Sequence, residues 1–151
     1  MTALPTPEHL ASLVSNVTST MLGISFVADL QRAAKPTLVW RTAMLPIAGA
    51  RPITIGLSSD QAGCLALSGA MFSVPSEKVD SSMINDALCE LVNMTAGLVK
   101  GALSLDQALG LPRILKDDAE SPAEAHAVVL RAEGLGLVLW IHEGCEAPRD
   151  P

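Results

Sequence analysis

Apolar residues fall at helical spacing in three stretches of this chain and in short strand-like runs between them. Leu10, Leu13, Val14, Val17 and Met21 form one stripe, which predicts a helix from about Pro7 or Glu8 to Leu22, with Gly23 as its C′ residue. A second helix is expected from the start signal Ser58-Ser59-Asp60 through QAGCLALSGAMF. Ala62, Leu65, Ser68, Gly69 and Phe72 give it a face of small residues, and Pro75 cannot continue it. The third runs from Asp80 to about Leu103. Asp80, Ser81 and Ser82 offer N-cap oxygens, and Ile84, Leu88, Leu91, Thr95, Leu98 and Ala102 make its apolar stripe.

Six stretches read as strands: Ile24 to about Leu30, Thr37–Leu45, Ile53–Leu57, Leu111–Lys116, Ala125–Ala132 and Leu135–His142. A turn over Pro46–Pro52 makes a hairpin of the second and third, and Glu133-Gly134 makes one of the last two. SLDQALG reads as a loop and 117–123 as a polar turn. Helices and strands do not alternate, and the strands come in hairpins. That order predicts an α+β fold, a mostly antiparallel sheet with two or three helices packed on a face.

The third helix carries a second periodic face. Asp86, Glu90, Asn93, Gly97 and Lys100 recur at i+3 and i+4. Asn is a poor residue for a helix interior, and Gly costs about 1 kcal/mol there relative to Ala. A helix selected only for stability would avoid both. What the face gains is a carboxylate and a carboxamide side by side.

Composition narrows the chemistry. The 151 residues are 49% hydrophobic with three cysteines and a formal charge of −6. One domain is expected from that length. The negative balance argues against nucleic acid, and no basic tract suggests a membrane surface. Apolar runs are shorter than the roughly 20 residues that span a bilayer. MTALPTPEHL lacks the basic and apolar regions of a signal peptide. Cys64, Cys89 and Cys145 are widely spaced and read as reduced thiols of a cytoplasmic protein. His9, His126 and His142 read as structural or surface residues, and no metal site is expected; His142-Glu143 beside Cys145 lies at a chain end. Trp40 and Trp140 read as strand residues of the core or an interface. The glycines spell neither GxGxxG nor a Walker loop, and no HExxH, CxxC or supported Ser-His-Asp set is present. Nucleotide binding and a covalent intermediate are therefore not expected.

What a Glu and an Asn three apart on a helix can do is position a water. Asn is uncharged, and it both donates and accepts hydrogen bonds. Such a pair suits phosphoryl transfer, whose barrier is mostly positioning and charge stabilisation. On chance alone, Glu-x-x-Asn on an exposed helix is an ordinary solvated face. The fuller string Asp86-x3-Glu90-x2-Asn93-Met94-Thr95-Ala96-Gly97, with the lead-in ITIGLSS, resembles the CheC/CheX chemotaxis phosphatases, and the CheX branch with its one such helix most of all.

That resemblance spans about Glu8 to His142 and implies a single CheX-like domain over 8–143, with loose termini at 1–7 and 144–151. It implies a phosphatase for the aspartyl phosphate of a CheY-like receiver domain. Asn93 would orient the attacking water and Glu90 would pair with the receiver's lysine. Asp86 and Gly97 would serve docking. Any Mg²⁺ would be the receiver's, with no cofactor held by this chain. A homodimer through the sheets is a further implication, and a non-catalytic binding or dimerisation module is the alternative. Finally, LVSNVT at Leu13–Thr18 can be laid on ELVNMT at Glu90–Thr95, with Leu13 where a site needs Glu. A match that short arises readily by chance.

Overall fold

Short polar side chains start each of the three long helices found among the described residues of the computed structural model, which are 4–29, 40–115, 126–132 and 134–144. Thr6 caps α1 (Pro7–Leu22) by accepting from the His9 amide, and Gly23 ends it at φ 71°. Asp60 caps α2 (Gln61–Phe72) by accepting from Gly63, and Ser73 closes it in the left-handed conformation. Asp80 accepts from Met83 to start α3 (Ser81–Ala102). These are the orphan amides of a first turn, each satisfied by an adjacent oxygen. α2 therefore stops before Pro75, and Ser76–Lys78 form a short 3₁₀ turn leading to α3.

The strands are β1 (Val27–Ala28), β2 (Arg41–Ile47), β3 (Ile53–Ser59), β4 (Arg113–Leu115), β5 (His126–Ala132) and β6 (Leu135–Glu143). They form one sheet in the order β1-β5-β6-β3-β2-β4, antiparallel at every pairing. The expected α+β architecture is present, with three helices on the sheet. Register explains the core. Ala43, Leu57, Leu139 and Val128 lie in one cross-strand row, and Leu45, Ile55 and Ile141 in the next. All seven are buried in a single cluster with Leu10, Val14, Leu88, Leu91 and Val99 of the helices. Burying one such side chain contributes about 1.5–3 kcal/mol, so these rows hold the helices to the sheet.

Several strand and turn boundaries differ from expectation. Pro46 and Ile47 belong to β2, opposite Thr54 and Ile53, so the turn is shorter than Pro46–Pro52. Pro46 lies past the stretch of β2 that pairs with β4, and its carbonyl accepts from the Gly110 amide at 2.7 Å. Proline is tolerated at such a strand end. Ser58 and Ser59 are the end of β3, buried and hydrogen-bonded to Thr42 and to the Gly136 carbonyl; only Asp60 serves the helix. The loop after α3 is pinned by Gln107. Its amide accepts from the Arg51 N–H and donates to the Ala48 and Arg51 carbonyls of the β2–β3 turn. Trp140 is buried in β6, whereas Trp40 precedes β2. The expected strand ends at Leu30, Thr37, Lys116 and Ala125, the polar turn at 117–123 and Cys145 lie outside the described residues.

Candidate functional site

Two anchors hold α3 beside the sheet. One is the apolar stripe: Ile84, Ala87, Leu88, Leu91, Val92, Thr95, Ala96 and Val99 are all buried. The other is Arg41 at the head of β2. Its Nη1 donates to Ser81 Oγ at 2.9 Å and to Asn85 Oδ1 at 3.0 Å, one helical turn apart. The guanidinium lies 4.5 Å from the centroid of the Trp40 ring, a cation–π contact that holds it in place. With the buried stripe and Arg41 fixing the helix's rotation, the remaining face looks outward.

That face carries the sequence-derived residues. Asp86, Glu90 and Gly97 are exposed and Asn93 is partly buried. Glu90 and Asn93 are three apart on a regular helix, so their Cβ atoms lie about 5–6 Å apart and project together. No side-chain hydrogen bond or ion pair to Glu90 or Asn93 is found among the described residues. Glu90 is open to solvent, and Asn93 keeps part of its surface accessible. The arrangement is a carboxylate and a carboxamide held on a rigid rod, presented to whatever docks there. It holds no hydroxyl or thiol nucleophile paired with a base.

Cys89 lies between Asp86 and Asn93 on the helix surface and is partly buried. Burial, and secondly the Asp86 carboxylate, push its thiol above the ordinary value, the opposite of the lowering that activates a cysteine nucleophile. Cys64 is deeply buried in α2, and its thiol is pushed up to about 12 by burial, with Arg41 opposing and Asp60 adding to the shift.

Beside the site, α1 and α3 leave a groove of about 350 Å³ lined by Asn16, Val17 and Thr20 from one helix and Met94, Gly97 and Leu98 from the other. The two helices present matching faces there. Laying Asn16 on Asn93 puts buried Val14 on buried Leu91 and buried Thr18 on buried Thr95. It also puts Val17 on Met94 and Thr20 on Gly97, both pairs meeting in the groove. Of the six pairs in the Leu13–Thr18 echo, only Val14 with Leu91 and Thr18 with Thr95 share a burial class; the other four differ. α1 bears no acid at the position matching Glu90, because Leu13 stands there. Arg41 and the α1 lining were not singled out from sequence. A strand-end Arg carries no motif, and the sole hint of α1 was that echo.

His9, His126 and His142 lie on separate elements, and no group of three metal-ligating side chains occurs among the described residues. Nor is any described helix long and apolar enough to cross a membrane.

Solved structures with this fold include CheX from Desulfovibrio desulfuricans (19% identity, TM-score 0.72, 89% of this chain and 95% of that one). CheX from Vibrio vulnificus is also similar (13% identity, TM-score 0.76, covering 94% and 99%). So is the CheX–CheY–BeF₃–Mg²⁺ complex from Borrelia burgdorferi (16% identity, TM-score 0.71, covering 94% and 99%). At such identities the likeness speaks for the fold. No curated protein matches the chain by sequence. The family model for the chemotaxis phosphatase CheX matches residues 41–133, more than half of the chain and the whole of α3. The chain therefore belongs to the CheX family.

Proposed function

We propose that this protein accelerates hydrolysis of the aspartyl phosphate on a CheY-like receiver domain, in chemotaxis or a related two-component circuit. The observation that carries the reading is the Glu90–Asn93 pair, Glu90 exposed and Asn93 partly buried, on the side of α3 away from its buried stripe. In this mechanism the receiver docks over α3 and Asn93 enters its phosphorylation site. The carboxamide accepts from, and donates to, a water held in line with the phosphorus. The water oxygen bonds to phosphorus, the bond to the aspartyl oxygen breaks, and inorganic phosphate and a free aspartate leave. Glu90 pairs with the receiver's lysine, a charge-assisted contact that fixes register. Asp86 and the bare Gly97 contribute to docking. The chain supplies no cofactor, and the Mg²⁺ is the receiver's. The Borrelia relative captured with CheY supports the choice of partner. Pairing of two copies through a sheet edge belongs to the same proposal; β1 and β4, two and three residues long, are the edges.

Asn93→Ala should reduce stimulated dephosphorylation about a hundredfold with unchanged circular dichroism, because the carboxamide is the group that positions the water. Glu90→Gln should weaken receiver binding as well as turnover. Phosphate release from a phosphorylated receiver measures both. Full activity in the Asn93 variant overturns the mechanism. Receiver binding by the wild type without any acceleration assigns the domain to docking alone.

A further inference from the structure

We infer that the α1–α3 groove is a second part of the receiver-docking surface, and that it takes an apolar side chain which the receiver projects beside its phosphorylated aspartate. The inference rests on the phosphatase reading above. A specific interface buries about 800 Å² per partner, far more than one Glu and one Asn present, so a docked receiver must cover a flank of the pair. Beyond Asp86 the exposed flank is polar. On the other side, one turn past Asn93, it becomes concave and apolar, with Val17, Met94 and Leu98 as its floor. The groove adjoins the site, because Gly97 lines it and lies one turn past Asn93, on the same face as Glu90.

Gly97 adds an independent clue. A Cβ there would meet nothing within 4 Å, and its φ is not positive. Neither packing nor backbone conformation inside this molecule requires glycine. Its effect is to leave the mouth of the groove open on the side the receiver would approach. Across the mouth, Asn16 and Thr20 of α1 are exposed and form the other rim. α1 would thereby take part in recognition without taking part in chemistry.

The test fills the groove from its exposed rim. Thr20→Phe and Asn16→Phe place an aromatic ring over the floor, and Ser19→Phe puts the same ring on α1 away from it. Binding is titrated with CheY carrying beryllofluoride and Mg²⁺, then with each other receiver of the organism. Phosphate release is followed in parallel for these variants and for Asn93→Ala. Both groove variants should bind at least tenfold more weakly, the loss in turnover falling on KM, with Ser19→Phe within twofold of wild type. Wild-type affinity in both groove variants overturns the inference, whatever Asn93→Ala does. Weakened binding in the groove variants alongside a fully active Asn93→Ala supports the groove and overturns the water-positioning mechanism. Failure of every receiver to bind the wild type overturns both.

Discussion

Gly56 and Gly97 are glycines for opposite reasons. At Gly56 the indole of Trp140 lies flat against the β3 backbone, so a Cβ would collide with the ring itself. The ring is pinned beyond by Met44 and Leu115, and it cannot lift away cheaply. Gly56→Ala should therefore cost about 1–3 kcal/mol, the usual penalty for overpacking, read as a lower urea midpoint. At Gly97 the space is empty. One glycine satisfies the molecule's own interior, and the other leaves room for something outside it. The sequence showed that Gly97 was costly, because helix propensity is local. It did not show why Gly56 interrupts a good strand, because Trp140 is distant in the chain.

At the scale of the element, α3 is a well-made helix carrying a deliberate weakness. Its cap, its stripe and its Arg41 tether all favour order. Gly97→Ala should accordingly stabilise the protein by up to about 1 kcal/mol, seen as a higher melting temperature. The same methyl enters the face proposed for the receiver, so affinity should fall while stability rises. That divergence separates a docking role from a folding role. Helix ends were legible because caps are local: Pro7–Leu22 with Gly23, and Asp80 before Ser81, stand where the residues placed them. Strand ends were less so. Ser58 and Ser59 look like helix-start residues, yet their hydroxyls pair with Thr42 and Gly136 across the sheet. Long-range partners overrode the local signal.

We propose that the chain unfolds as one cooperative domain over 8–143, and Cys64 offers a way to test it. Its thiol sits in the common core and is raised from 9.0 to about 12, chiefly by burial. A raised folded-state value means that the fold disfavours the thiolate. The contribution is complete below the ordinary thiol range and is lost as pH rises from there towards the folded value. Urea midpoints should thus fall between pH 8 and pH 11 more steeply for the wild type than for Cys64→Ala, in a single transition. Equal slopes would show that the thiol is not linked to global unfolding.

Sequence alone determined the three helices with Gly23 and Asp80 at their ends, the hairpin character of the strands, and the face bearing Asp86, Glu90, Asn93 and Gly97. Each of these depends on residues within a few positions of one another. The tertiary structure alone decided that this face lies away from the core, that Arg41 ties the head of α3 to β2, and that α1 lies alongside to complete a groove. Those facts depend on which buried stripe meets which row of the sheet, and periodicity along a chain does not encode that choice.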